Sequence, residues 1–414
     1  MFPREQMARL AAIRLQQGGE MTASSRPLQV AYDIARLSAG GANGGIKVHH
    51  YEFLRRFVEK HSHEIRLFVF CREEIVPELG FLAAAGHHQV HVLGPREGYD
   101  PRRSEGSLPL LRYWPEVPED LLSLLGIDVL YAGFGFSQLY TPNVPQVSLI
   151  VDVLHRSYPK SLPPAEVDFR DRWYAEAIEK SALVQTNSAF CKEQLVDEFG
   201  ADPQKTFVIS LPLHGRFDTV KTGSLPAEIA TLSHPYFLYP ANYWPHKNHE
   251  ILLVAFAHFI AKNRGQPWQL VLTGTRNERT PELEALARTL GIDQLTSFLD
   301  HLELGDFKLL WEKAHALVFP SLYEGFGLPV LEAMHFNKPI ACGDYCSFKT
   351  VDSPFLLRFD ARIPTEVSRA MEQLVHLPSI VDWSDHLGTF DIDIECRALL
   401  RTLSFQQTPP IITP

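Results

Sequence analysis

The segment EGFGLPVLE (324–332) sets two carboxylates, Glu324 and Glu332, on either side of a glycine-bounded turn, with seven residues between them. ALVFPS (316–321) reads as a buried strand entering that turn. Pro329 suits the first turn of a helix, where its missing N–H costs nothing. A helix start offers unpaired N–H groups and the positive end of the dipole, a place for a diphosphate. Gly325 and Gly327 let the backbone approach a ligand closely. Carboxylates are poor phosphate ligands and good acceptors for hydroxyls. The arrangement therefore suits a molecule that joins sugar and ribose hydroxyls through a diphosphate: a nucleotide sugar.

Three further segments have suitable chemistry. PANYWPHKNHE (240–250) follows an apolar strand and opens a helix. Its Lys247 is a mobile point charge able to neutralise phosphate, and a protonated His246 would add to it. The glycine-rich SAGGANGGIKVHH (38–50) contains Gly40, Gly41, Gly44 and Gly45 between strand LQVAYDIA (28–35) and a helical stretch at 46–61. Its spacing is neither a dinucleotide fingerprint nor a Walker loop. In VDVLHRSYPKSLPP (151–164) a strand ends at Val153 and His155 follows in the strand-end loop. Plainer readings stay open: a solvated helix-start lysine, a flexible βα turn and a hydrogen-bonded surface histidine.

Together these segments resemble glycosyltransferase family 4 and its relatives of GT-B architecture, whose signature is two glutamates with seven residues between them. Both Glu, both Gly, Phe326 and Pro329 match. The resemblance implies that Glu324 holds the donor sugar's hydroxyls near the reacting carbon and that Glu332 holds the ribose. It implies a phosphate-binding role for Lys247, with Gly325, Phe326, Gly327 and Leu328 lining the donor. Gly45 would lie under the donor phosphate and Gly44 beside the acceptor. Thr273 and Gly274 of LTGTRN (272–277) would lie by the phosphates, and the loop His301–Leu302–Glu303 would contact the base, largely through its backbone. Five residues before the lysine the family usually has an arginine. Here the position is Asn242, able to donate a hydrogen bond but without charge. Asp152, His155, Tyr158 and Pro159 reproduce a family layout in the first half, with His155 implied to bind the donor sugar or the acceptor, although some relatives place a histidine where this chain has Val151. The match is strong over about 236–340, loose before it, and thin after 340, where CGDYCSFK is unfamiliar.

To position these residues, strands must end where they lie. EIRLFVFC, HQVHVLG, IDVLYAG, QVSLIVDV, ALVQTN and FVISLP read as strands of a first αβ series, and SAFCKEQLVDEFG (188–200) as a helix with a Ser cap and a Gly stop. YFLYPA, WQLVLTG, SFLDHL, ALVFPS and KPIACG read as strands of a second. Alternation of this kind predicts an α/β fold: two Rossmann-like, doubly wound parallel-sheet domains facing across a cleft, with ligands at the carboxyl ends of the strands. The expected divisions are an N-terminal tail or helix (1–25), an acceptor domain (26–212), a linker (213–234), a donor-nucleotide domain (235–378) and a partly disordered C-terminal segment (379–414).

Composition narrows the classes. At 414 residues and 45% apolar content the chain can build two cores, and a formal charge of −10 argues against a nucleic-acid partner. Five scattered cysteines suit a reducing, cytoplasmic setting. Cys342 and Cys346 are spaced loosely like metal ligands but lack a second pair. No transmembrane-length run occurs, which leaves contact with the inner membrane surface open as a route to a lipid-linked acceptor. No Asp-x-Asp stands in the strand-end segments above to hold a divalent metal with the nucleotide, so neither metal nor cofactor is expected. The expected activity is retaining hexosyl transfer from a nucleotide sugar, GDP-mannose being the first guess, to a saccharide or lipid-linked acceptor in surface polysaccharide or glycoconjugate synthesis. The alternatives are a catalytically silent GT-B domain that binds a sugar nucleotide or a partner subunit, and a sugar-nucleotide epimerase.

Overall fold

The computed structural model describes residues 26–40, 43–94, 110–113, 117–211, 216–217, 220–224, 234–263, 265, 267–344, 348 and 351–404, the side chains of 112 and 389 excepted. The tail or helix expected over 1–25, Gly41, most of the expected linker and Cys346 lie outside these residues.

Among the described residues the first sheet is built from β1 (Leu28–Asp33), β2 (Ile65–Cys71), β3 (Gln89–Leu93), β4 (Leu110–Tyr113), β5 (Val129–Ala132), β6 (Gln146–Leu149), β7 (Leu183–Thr186) and β8 (Thr206–Val208). Their order is β4-β3-β2-β1-β5-β6-β7-β8, parallel throughout. The second sheet runs β11-β10-β9-β12-β13-β14 and is also parallel. Its strands are β9 (Tyr236–Pro240), β10 (Gln269–Thr273), β11 (Thr296–Leu299), β12 (Ala316–Phe319), β13 (Ile340–Gly343) and β14 (Leu356–Phe359). Both are covered sheets, which is why their strands read as continuous apolar runs. The edge strands β4 and β14 were not expected.

The helices are α1 (Gly45–Lys60), α2 (Leu121–Leu124), α3 (Leu154–Ser157), α4 (Pro164–Lys180) and α5 (Ala189–Phe199) around the first sheet. Around the second are α6 (His249–Lys262), α7 (Thr280–Thr289), α8 (Leu304–Lys313), α9 (Leu328–His335), α10 (Pro364–Leu374) and α11 (Ser384–Leu387), with α12 (Ile392–Ser404) last. Helix α5 has the expected ends: the Ser188 hydroxyl accepts from the Cys191 N–H, and Gly200 closes the helix in the left-handed region at φ 66°.

Strand order reverses between β1 and β5 in one sheet and between β9 and β12 in the other. Those two points open crevices at the carboxyl ends of the strands, and the loops after them carry the glycine-rich turn, the Lys247 segment and the two-glutamate segment.

Two stretches differ from expectation. The described part of the expected linker packs onto the second domain. Phe217 is buried in that core, and the Lys308 ammonium donates to the Phe217 and Val220 carbonyls at 2.9 and 3.1 Å. In the C-terminal segment expected to be partly disordered, Trp383 is buried and donates to the Lys338 carbonyl at 2.9 Å. After it, α12 crosses back to the first domain, burying Ile392, Cys396, Leu399, Leu400 and Leu403 in the core beneath α1. That spacing is an amphipathic helical stripe, set next to a proline-containing end that obscured it.

Candidate active cleft

The two crevices face each other across a cavity of about 1300 Å³. Of the residues expected in the site, Gly44, Gly45, Asn242, Lys247, Thr273, Gly274, Leu302, Glu324, Gly325, Phe326, Gly327, Leu328 and Glu332 all line it. His155 does not.

Lys247 ends a short 3-10 turn after β9, and its carbonyl accepts the Tyr239 hydroxyl at 2.8 Å. The Leu322 N–H donates to the His246 carbonyl at 2.8 Å, tying this turn to the loop after β12. Asn248, in the left-handed region at φ 62°, donates its amide to the Pro320 and Ala361 carbonyls. So held, the two loops bring the Lys247 ammonium to 2.6 Å from the Glu324 carboxylate. Each side chain keeps 13% of its surface exposed, and both line the cleft.

Glu332 sits one turn into α9 with its carboxylate 2.7 Å from the Arg216 guanidinium. Burial pushes this carboxyl up from its usual range, and Arg216 pulls it back. Sequence reading missed Arg216 because it lies in an irregular segment with no motif around it. Both glutamates are thus ion-paired, and the start of α9, capped by Gly327 at φ 98°, lies between the pairs.

The glycines meet neighbours of the fold as well as the cavity. A Cβ on Gly325 would lie 1.9 Å from the Val151 carbonyl oxygen of the first domain, and one on Gly45 would lie 2.7 Å from Leu328 of the second. The Ser188 hydroxyl, while capping α5, donates to the Gly325 carbonyl at 2.6 Å. The Tyr323 hydroxyl accepts from the Val153 N–H at 2.8 Å and donates to Gln194 at 2.7 Å. Glu324 is therefore bracketed by residues bonded to the opposite domain. Gly274 is crowded by the Ala241 carbonyl, 2.5 Å from where its Cβ would be. The Asn242 side-chain oxygen accepts the Thr275 N–H at 2.8 Å, and the Thr273 hydroxyl donates to the Asp300 carbonyl at 2.8 Å. Both polar groups, expected on phosphate, serve at least in part to shape the strand-end loops. The first domain's glycine-rich loop is fixed by Lys47, whose ammonium donates to the Ser38 and Gly40 carbonyls and to Glu78 at 3.1, 3.0 and 2.8 Å.

Two histidine readings are corrected. After β6 the chain turns into α3, which drives His155 into a pocket between Tyr174 and Phe199, fully buried, with Nε2 3.2 Å from Asp171. Topology delivers the loop to the cleft, but helical geometry turns this side chain away. Asp152, beside it, does line the cleft and accepts the Leu154 N–H at 3.0 Å. His246 supplies no charge: burial, reinforced by Lys247, depresses its imidazole to about 2. Glu52 on α1 also lines the cleft and was not foreseen; burial raises its carboxyl to about 7 against the pull of Arg216. Among the described residues no group of three His, Cys, Asp or Glu side chains is placed to hold a metal.

Residues 227–380, which take in most of the second domain, match the family described as Glycosyl transferases group 1. The chain is 28% identical over 162 residues to the O-antigen chain mannosyltransferase RfbU of Salmonella typhimurium, covering 38% of this chain and 44% of that protein. It is 26% identical over 233 residues to the O-antigen chain mannosyltransferase B of Escherichia coli, covering 54% and 59%. The matches thus span about half the length of these relatives. Among solved structures, HepE of Anabaena in complex with UDP and glucose superposes with a TM-score of 0.66 at 16% identity, over 91% of this chain and 100% of that one. WaaG, a glycosyltransferase involved in lipopolysaccharide biosynthesis, superposes with a TM-score of 0.56 at 16% identity, over 91% and 99%. The fold is GT-B.

Proposed function

We propose that this chain is a retaining, metal-independent hexosyltransferase. It moves a sugar from a nucleotide sugar to a saccharide or lipid-linked acceptor in surface polysaccharide or glycoconjugate synthesis. The observation that carries this is the pair of carboxylate–cation contacts flanking the start of α9, Lys247–Glu324 and Arg216–Glu332, in a cleft walled by a second αβ domain. The donor's diphosphate suits the helix start, its ribose Glu332 and its sugar Glu324.

Transfer breaks the bond between the anomeric carbon and the diphosphate oxygen, with positive charge growing on the sugar and negative charge on the leaving group. Lys247 and the N–H groups at the α9 start stabilise that charge where it forms. The acceptor hydroxyl attacks the same face, and its proton passes to the leaving phosphate, so the anomeric configuration is kept and no protein base is needed. Mannose, carried by GDP, is the first candidate because similar proteins are named as mannosyltransferases. UDP in the HepE complex makes uridine donors the second. We place the reaction in the cytoplasm, at or near the inner membrane surface. No helix of the described residues is long and apolar enough to cross a membrane.

The test is a thermal-shift screen of sugar nucleotides followed by proton NMR of the product. A donor at a hundred times its Kd adds about 2.7 kcal/mol of stability. An axial-to-axial or equatorial-to-equatorial outcome in excess EDTA supports the proposal; inversion, or strict dependence on Mg or Mn, defeats it. The second reading, a silent GT-B domain, draws on the Asn242 oxygen engaged by Thr275 and on Lys247 and Glu324 engaged by each other. It requires donor binding without hydrolysis or transfer. An epimerase would yield an epimeric nucleotide sugar and no glycoside.

A further inference from the structure

A diphosphate carries at least two negative charges, and Lys247 is one cation. The remaining group near β9 that could have answered them, Asn242, is neutral, and its oxygen holds the Thr275 N–H. His246 is held neutral by burial. We infer that Arg216 is the second cation of the donor's phosphate site, delivered from the segment between the domains. The inference rests on the nucleotide-sugar reading above.

Four observations support it. Arg216 lines the same cavity as Lys247, Gly327 and Leu328. Its position is built rather than accidental: the next residue, Phe217, is buried in the second core, and Lys308 holds the Phe217 carbonyl at 2.9 Å. The guanidinium lies over the Phe217 and Phe307 rings, 5.0 and 5.6 Å from their centroids, which confines it in direction. Its contact with Glu332 is a single nitrogen–oxygen pair at 2.7 Å, Nη1 to Oε1, which leaves other N–H groups of the fork for an anion. Lysine and arginine thus line one cleft with the start of α9, each resting on a signature glutamate. When ribose hydroxyls take up the Glu332 oxygens, the arginine turns its fork to the phosphate.

The experiment is isothermal titration of GDP and UDP, each compared with its nucleoside, guanosine or uridine. The readout is how many times more tightly the diphosphate binds than the nucleoside. For Arg216→Gln this ratio should fall about ten- to a hundred-fold, the scale of a charge-assisted hydrogen bond. Nucleoside affinity should change far less. Asn242→Arg, placed in the Arg216→Gln background, should recover much of the ratio by returning a cation to the cleft. Because Arg216→Gln leaves a buried carboxylate unpaired, the pair Glu332→Gln and Arg216→Gln/Glu332→Gln repeats the comparison without that strain, and the ratio should fall again. Equal loss for nucleoside and diphosphate would reduce Arg216 to a partner of Glu332 and overturn the inference. A wild-type chain that binds neither nucleotide overturns the nucleotide reading itself and this inference with it. Wild-type diphosphate binding that ignores Arg216 overturns the inference alone.

Discussion

The crevice between β1 and β5 and the crevice between β9 and β12 share one topology and serve opposite ends. In the first, the space at the strand ends is filled. The Tyr32 hydroxyl meets His50 Nδ1 at 3.0 Å, and His50 Nε2 meets the Gly133 carbonyl at 3.1 Å, so Nε2 carries the proton and Nδ1 accepts. Burial depresses that imidazole to about 3, leaving it neutral. A Cβ on Gly133 would come within 2.6 Å of the ring. In the second crevice the two loops are tied to each other, and Lys247 and Glu324 line the cavity. Strand order locates a crevice; the side chains delivered there decide whether it is a wall or a site.

The comparison breaks most completely at the Lys247–Glu324 pair. Glu324→Gln and Lys247→Met should each cut transfer by a thousandfold or more on the scale of lost transition-state stabilisation, about 4 kcal/mol. Each single variant also leaves an unpaired charge in a largely buried place. The double variant should therefore melt at a higher temperature than either single one, though equally inactive. Additive losses of stability in the three variants would show that the pair is not coupled.

Next is the seam where the two crevices meet. Gly325→Ala puts a methyl where the Val151 carbonyl lies, so the domains must part there. Turnover should fall at least tenfold, with a larger radius of gyration by small-angle scattering. An unchanged scattering profile with reduced turnover would place the defect in ligand contact instead.

Acid should attack buried imidazoles of both domains, His50 of the filled crevice among them. His50, His88, His91 and His249 are depressed to about 3 and His246 to about 2, each by burial first. A folded-state pKa below the unfolded value of about 6.5 means that the unfolded chain takes up protons first as pH falls. Stability is then lost from about pH 6.5 downward, by as much as about 1.4 kcal/mol per pH unit for each ring. Glu52 and Glu395, raised to about 7 by burial, act with the opposite sign, since their folded forms are favoured as pH drops from 7 toward the usual carboxylate range. Five rings outweigh two carboxyls, so the urea midpoint should fall steeply between pH 6.5 and 5. A flat profile there would mean that these imidazoles are less enclosed than the structure has them.

The smallest effect on catalysis should come from His155→Ala. The ring packs against Tyr174 and Phe199 outside the cleft, so the melting temperature should drop while kcat and KM, measured well below it, stay within about twofold. A strong loss of turnover with unchanged stability would return His155 to the site.

What the sequence determined by itself was local. Apolar runs ending in glycine-bounded turns specified two parallel αβ series, because strand and helix periods are written in neighbouring residues. The two-glutamate segment and Lys247 were legible for the same reason: each lies within a few residues of the strand end or helix start that positions it. What only the tertiary structure decided was pairing across distance and the direction of side chains. Arg216 reaches Glu332 from 116 residues away, Ser188 reaches Gly325 from 137, and Lys247 reaches Glu324 from 77. No local pattern encodes those contacts. His155 shows the same limit in reverse: its loop was placed correctly, but a single helical turn and the apolar space beside it aimed the ring inward. The stripe of α12 was readable as a helix, whereas its return to the first domain depended on where α1 leaves apolar surface uncovered. Local signals fix which elements form, and burial of their shared surfaces fixes which residues meet.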